Sequence, residues 1–139
     1  MKQVEFQFSV LTKGRGIYAI SKEVESWIQS QNISSGLLTL FIPHTSASLI
    51  IQENADPDVL KDLDQFFSRL VPDGDPLYEH QAEGPDDMPA HIRSALTQTH
   101  LSIPVRNNRL ALGVWQGIYL FEHRVYPHTR NILLHLLGE

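Results

Sequence analysis

No cysteine occurs among the 139 residues of the chain. Disulfides and thiolate catalysis are therefore excluded, and a bound metal would have to rest on imidazole nitrogen and carboxylate oxygen. Basic residues are in the minority: 11 Lys and Arg stand against 16 Asp and Glu, a formal net charge of -5. Nucleic acid and anionic membrane are disfavoured as partners, because phosphate-backbone binding needs clustered Lys and Arg. No run of about 18 apolar residues is present to span a bilayer as a helix. The N-terminal Met1-Lys2-Gln3-Val4-Glu5-Phe6 alternates and lacks the apolar core of a signal peptide. A cytoplasmic location is the default expectation. There is no Gly-rich phosphate loop, so no nucleotide cofactor of the P-loop or Rossmann kind is expected. There is no Gly-x-Ser-x-Gly elbow either, which leaves a Ser-His-Asp hydrolase unsupported.

What is present reads as an ordinary globular chain, 42% apolar and 19% charged. Its length suits a single domain spanning 1–139. Residues 3 to 10 alternate between Val4, Phe6, Phe8, Val10 and polar neighbours, the pattern of a strand with one wet face. A short strand follows over Ile17 to Ile20, and Ser21 is the expected N-cap of a helix to about Gln29 with Val24, Trp27 and Ile28 inward. Asp56-Pro57 opens a second helix, carrying Val59, Leu60, Leu63, Phe66, Phe67 and Leu70 on one face until Pro72. A third helix is expected over Pro85 to about Leu96, with Met88, Ile92, Ala95 and Leu96 inward and Pro89 harmless in the first turn. Strands are expected over Leu101 to Val105, Arg109 to Leu112, Trp115 to Glu122 and Asn131 to Leu137. The order and the short turns predict an α+β fold: one domain, a mixed and largely antiparallel sheet packed with about three helices.

Gly36 to Asn54 is the most informative segment. Apolar runs, Leu37 to Ile42 and Leu49 to Ile51, flank Pro43-His44-Thr45-Ser46. A hairpin tip built only to turn favours Gly, Asn or Asp. An imidazole and two hydroxyls there are costly unless something polar is held. Hydroxyls in turns commonly bond their own backbone, but they also accept a phosphate.

Seven histidines are present. Asp87 and His91, four apart in the third helix, share a face, where a carboxylate can fix an imidazole or both can point at one ion. Such pairs are more often solvated surface pairs. His44, His80 and His91 could together supply a three-histidine metal site with an open position, although lone histidines are more often satisfied core or surface groups. His100, His123, His128 and His135 read as strand ends or loop. Glu53 ends an apolar strand and needs a partner or water. Trp115 and Gln116 lie between Gly113 and Gly117, where close approach of backbone or ligand is permitted. Arg130 could pair with Glu122, most simply at the surface, or clamp an anion.

Taken together, His44-Thr45-Ser46-Ala47-Ser48, Glu53-Asn54-Ala55-Asp56-Pro57, Tyr78-Glu79-His80, Glu83 to Ile92, Trp115-Gln116-Gly117-Ile118 and Glu122-His123-Arg124 resemble the YjbQ family, also called the secondary thiamine-phosphate synthase family. The resemblance runs from the first strand to Gly138-Glu139. It implies a small α+β domain assembled as a homotrimer, with His44, His80 and His91 gathered in one pocket beside acidic groups. It also implies a low thiamine-phosphate synthase activity. Gln52 and Val114 depart from the Asn and Thr usual at those positions, and Val114 lacks any hydroxyl contribution.

Two classes of function follow. As an enzyme, the chain would couple a pyrimidine diphosphate to a thiazole phosphate with release of pyrophosphate, work that positioning and electrostatics can do. His44, His80 and His91 would contact the leaving group or ligate metal, and Asp87 would orient His91 or help hold the ion. Thr45, Ser46 and Arg130 would take phosphate, with Glu53 lining the substrate site. Trp115 would stack on the pyrimidine and Gln116 read its polar edge. A divalent metal is expected, Mg²⁺ from the diphosphate chemistry or Zn²⁺ from the histidines. As a binding module, the same residues would hold a small phosphorylated molecule or a metal. Metal-assisted phosphoester hydrolysis is a third reading.

Overall fold

The computed structural model describes residues 1–139. Eight strands and three helices follow one another as β1 (Lys2–Leu11), β2 (Gly16–Ala19), α1 (Ser21–Ser30), β3 (Ser35–Phe41), β4 (Ala47–Glu53), α2 (Pro57–Leu70), α3 (Asp87–Leu96), β5 (His100–Arg106), β6 (Arg109–Leu110), β7 (Gln116–Glu122) and β8 (Thr129–Gly138). The α+β fold with three helices is as expected, and every strand pairing is antiparallel. The strands divide into two sheets, a five-stranded one in the order β1-β8-β3-β5-β6 and a three-stranded one in the order β2-β7-β4.

That division corrects the reading of residues 36–54 as a hairpin. β3 pairs with β5 and β8, whereas β4 pairs with β7. Residues 42–46 are therefore an elbow that carries the chain from one sheet to the other. A turn within one sheet would have called for Gly or Asn, as at Asn107 and Asn108, whose φ of 53° and 61° make the tight β5–β6 turn. The elbow instead has to be tied to both sheets, and polar groups do the tying.

Facing residues of the two sheets, among them Leu38, Leu40, Leu49, Leu101, Ile103, Ile118, Leu120, Ile132, Leu134 and Leu136, make a continuous apolar core that Val24 and Ile28 of α1 close. Alternation puts Ile118 and Leu120 on the core side of β7 and Tyr119 and Phe121 on the other. Phe121 there meets the ring of Phe67 from α2 edge-on, with centroids 5.4 Å apart. Ser21 is not the cap of α1: Ile20 holds that position, and the Ser21 hydroxyl accepts from the Ile118 amide at 2.8 Å. Asp56 does cap α2, accepting from the Asp58 amide at 3.0 Å, with Pro57 in the first turn.

α3 buries a different face from the one expected. Asp87, Pro89, Ala90, Arg93 and Ser94 are buried, while Ala95 and Leu96 are exposed and Met88 and Ile92 half-buried. The helix is held by polar bonds: Ser94 Oγ donates to the Ala47 carbonyl at 3.2 Å, Thr97 Oγ1 to Ser48 Oγ at 2.7 Å, and Arg93 Nη2 to the Val71 carbonyl at 2.9 Å. Small residues on this side let it lie close to β4. No helix is long and apolar enough to cross a membrane.

Candidate functional site: a His/Asp cluster beside the elbow

Asp87 sits at the start of α3, and its carboxylate is only 2% exposed. His80 arrives from the preceding loop, its Nε2–H donating to Asp87 Oδ2 at 2.6 Å. His91, one helical turn further along, places its Nε2 3.1 Å from the same oxygen. The three ligand atoms lie within 4.8 Å of one another, and this group could hold a divalent ion.

The other ring nitrogen of His91 defines the chemistry. Nδ1 lies 3.0 Å from the Thr45 carbonyl, which can only accept, so Nδ1 carries the proton. A neutral His91 then turns a bare Nε2 lone pair toward a carboxylate oxygen. Two acceptors at that distance need a cation between or beside them, either an added proton or a metal. A backbone carbonyl fixing the far nitrogen of a ligating imidazole is the usual second-shell arrangement. Two imidazoles and a carboxylate suit Zn²⁺ or a similar first-row ion better than Mg²⁺, which prefers oxygen alone.

Arg124 anchors the carboxylate from behind. Its Nη1 lies 2.8 Å from Asp87 Oδ1, its Nε donates to Asp86 Oδ2 at 2.8 Å, and its Nη2 donates to the Glu83 carbonyl at 3.0 Å. Burial pushes the Asp87 pKa up, but the His80 hydrogen bond and the Arg124 charge outweigh it, and the net displacement is downward. Asp86 behaves alike: burial is overcome by Arg124, leaving its carboxyl below the ordinary range. Beside His80 opens a cavity of about 440 Å³ lined by Asp75, Pro76, Tyr78, Gly84 and Pro85 among others.

His44 does not join this group. The Asn131 amide donates to its Nε2 at 2.9 Å, which takes that lone pair and leaves the ring proton on Nδ1. Neither nitrogen is then free to bind a metal, which corrects the three-histidine ligand set. Burial, then the Arg130 charge, hold the His44 pKa below its ordinary value, with Glu122 opposing. Thr45 contributes its carbonyl to the cluster, not its hydroxyl.

Arg130 and Glu122 do pair, but in the interior, not at the surface. Arg130 Nε donates to Glu122 Oε1 at 2.9 Å and Nη2 to Oε2 at 2.5 Å, with Nη2 also reaching the Ser46 carbonyl and hydroxyl at 3.1 and 3.0 Å. Glu122 accepts further bonds from Thr12 Oγ1 and from the amides of His123 and Arg124. Burial would raise its pKa, yet the bonds from Arg130 and Thr12 bring it below the ordinary range.

Glu53, Trp115 and Gln116 lie elsewhere. Register pairs Glu53 with Gln116 at one end of β4–β7 and Ala47 with Glu122 at the other, roughly 20 Å away at the rise of an extended strand. Glu53 accepts from the Ala55 amide at 3.0 Å, and Gln116 Oε1 accepts from the Gly113 amide at 2.7 Å. Both thus shape local turns. Trp115 is 63% exposed in the turn before β7. The space at Gly117 is taken by the Tyr119 ring and Asn54.

Sequence reasoning missed Arg124, Asp86 and His123. The Asp86-Asp87 doublet opening a helix, and the charged triplet Glu122-His123-Arg124 closing an apolar strand, were the available signals. His123, read as a strand end, is fully buried, with Nε2 2.8 Å from Ser48 Oγ and Nδ1 without a partner.

Fold and cluster together define a two-sheet α+β protein with a His/Asp ligand group able to take a divalent ion. The chain belongs to the YjbQ family: the model described as "UPF0047 protein YjbQ-like" matches residues 5–139. A UPF0047 protein of Synechocystis is 52% identical over 130 residues, covering 94% of this chain and 88% of its own. The UPF0047 protein YjbQ of Escherichia coli O157:H7 is 44% identical over 128 residues, covering 91% and 92%. Among solved structures, a conserved hypothetical protein of Thermus thermophilus superposes with a TM-score of 0.84 at 36% identity, covering 95% of this chain and 99% of that one. A YjbQ/UPF0047 family protein of Clostridium acetobutylicum gives 0.86 at 33% identity, covering 95% and 99%.

Proposed function

We propose that the His80/Asp87/His91 cluster is a divalent-metal site serving a small phosphorylated ligand, and that a weak, secondary thiamine-phosphate synthase activity is carried out there. The observation behind this reading is the shared Asp87 oxygen: two imidazole nitrogens converge on it, and the Thr45 carbonyl fixes a proton on the far nitrogen of His91, so that Nε2 is the nitrogen that would ligate. In the proposed reaction the thiazole nitrogen forms a bond to the pyrimidine methylene carbon. The carbon–oxygen bond to the diphosphate breaks, and pyrophosphate leaves with the electron pair. His80, Asp87 and His91 would hold a divalent ion, which would supply charge neutralisation for the departing oxygens. Asp87, braced by Arg124, orients both imidazoles, and His80 presents its edge to the adjoining cavity. No covalent intermediate is required, since the pocket works by placement and charge.

The donor set also favours a second reading. Two histidines and a carboxylate are the ligands of zinc hydrolases that activate water, so metal-assisted phosphoester hydrolysis competes with coupling. We also propose, following the family resemblance, that the chain acts in the cytoplasm as a homotrimer. Supporting self-association, the outer face of the five-stranded sheet is covered by no helix and carries Leu37, Phe41, Leu133 and Leu137, all large and exposed.

The deciding experiment is thiamine-phosphate formation by the purified chain, made in a host lacking its own synthase, with His91→Ala alongside. Formation that needs His91 and reaches an ordinary turnover, roughly 1 s⁻¹ or more, marks a dedicated synthase, and slower formation a side activity. Phosphate release without coupling favours the hydrolase. Equal formation by both proteins, or none, overturns the synthase reading.

A further inference from the structure

A second cavity, about 500 Å³, opens on the elbow side of the molecule and is lined by Phe41, Ile42, Pro43, His44, Thr45, Ser46, Thr99 and Arg130. Each of its polar side chains, His44, Thr45, Ser46, Thr99 and Arg130, can donate a hydrogen bond. His44 has its Nε2 taken by the Asn131 amide, so the ring proton sits on Nδ1, which has no partner within the chain. Arg130 spends Nε and Nη2 on Glu122 and Ser46, and its Nη1 is bonded to nothing in the protein. The hydroxyls of Thr45 and Thr99 make no bond to the protein, and Ser46 Oγ accepts from Arg130 while its own proton stays free.

No carboxylate lines this space. Glu122 lies behind the guanidinium, completely buried, and its two oxygens already accept from Thr12, Arg130 and two backbone amides. Arg130 is itself only 4% exposed, so the cation is built into the wall and does not wave from the surface. A solvated patch of hydroxyls would not need a buried guanidinium with an unbonded Nη1, a tautomer-locked imidazole and an absence of carboxylates in one place. Such a set of convergent donors is how proteins hold tetrahedral oxyanions. On its apolar side Phe41 and Pro43 are exposed and suit an organic body attached to that anion, whereas Ile42 belongs to the core.

We propose that this cavity is a second ligand subsite, separate from the His80/Asp87/His91 cluster, that takes the phosphoryl group of a phosphate monoester on His44, Thr99 and Arg130. The two sites share the elbow: the Thr45 carbonyl faces His91, and the residue before it faces the second cavity. The assignment deepens the phosphorylated-ligand reading by naming where such a group binds without metal, and it stands or falls by itself.

The test is a titration of the full, metal-free chain with inorganic phosphate in the presence of a chelator, followed by amide NMR. Asn131 is the reporter, because its N–H bonds His44 directly. The expected result is a saturable shift at Asn131 and at residues 44–46. Thr99→Val and His44→Phe should each weaken binding about tenfold, the usual consequence of losing one donor to an anion. Asp62→Asn, at an exposed position of α2 that lines neither site, should leave the affinity within about twofold. Thr99 is half-buried at the cavity edge, so its valine variant guards against a folding defect in the histidine variant. Absence of a saturable shift, unchanged affinity in both donor variants, or loss of binding in Asp62→Asn overturns the proposal. None of these outcomes depends on synthase turnover, so a failed coupling assay leaves the result intact.

Discussion

The Thr45 carbonyl and the Nδ1 of His91, 3.0 Å apart, join the elbow between the sheets to the first turns of α3. The bond fixes which His91 nitrogen carries the proton, and with it the lone pair offered beside Asp87. In the metal-free protein, long-range ¹H–¹⁵N correlation should report His91 protonated at Nδ1. Adding Zn²⁺ should move the Nε2 signals of His80 and His91 together and leave His44 in place. Movement of His44 would restore the three-histidine ligand set and refute the two-histidine one.

Arg124 touches no proposed ligand atom, yet it holds the carboxylate that two imidazoles share. It is a positioning residue. Arg124→Gln should lower Zn²⁺ affinity by about 10- to 100-fold, the range seen when an outer-shell partner is lost, and Arg124→Lys should recover part of it. Competition against a chromogenic chelator measures this. A merely structural role would lower stability in both variants with the affinity of the folded fraction unchanged.

How much of this was legible beforehand follows from what each signal encodes. α2 was readable in its start and extent, because Asp56-Pro57 caps it, but not in its burial: Val59, Leu60, Leu63 and Phe67 are only half-buried, and Phe66 and Leu70 of the same stripe are exposed. α3 was readable in extent but not in orientation: the face it buries carries Asp87, Arg93 and Ser94, polar groups whose partners come from Ala47, Val71 and Arg124. Periodicity cannot foresee partners that lie far away in sequence. The Asp87–His91 pair was visible as a four-residue spacing, whereas His80 joins through a loop and His44 is removed by a backbone amide of β8. The division into two sheets was hidden for a similar reason. Apolar runs on either side of residues 43–46 look the same whether the chain turns back or crosses over.

The Glu122–Arg130 pair supports the elbow through Ser46. Removing only the cation, as in Arg130→Met, leaves a carboxylate buried without its partner and should cost about 3 to 5 kcal/mol. Adding Glu122→Gln in the same chain removes that stranded charge and keeps an acceptor for the amides of His123 and Arg124. The double variant should therefore be more stable than Arg130→Met alone, as urea unfolding would show. Equal or greater destabilisation would mean that the pair contributes by attraction alone.

His123 ties stability to pH. Burial, then the charges of Arg93, Arg15 and Arg130, lower its pKa to about 3. Once unfolded it returns to the ordinary value near 6.5. Between these limits the unfolded chain binds a proton that the folded chain refuses, so stability rises with pH and is lost as the solution is acidified. The slope from this residue approaches about 1.4 kcal/mol per pH unit below pH 6. His44, also lowered, adds in the same direction. Asp86, Asp87 and Glu122 are all lowered as well. Their contributions are likewise lost in acid, but only below the ordinary carboxylate range, near pH 4. Urea melts between pH 6.5 and 5 therefore isolate the histidines. His123→Gln keeps a partner for Ser48 and cannot titrate, so its stability should fall less steeply over that interval than that of the native chain. Parallel curves would show that His123 is not held neutral by its surroundings, and that the acid sensitivity comes from elsewhere in the fold.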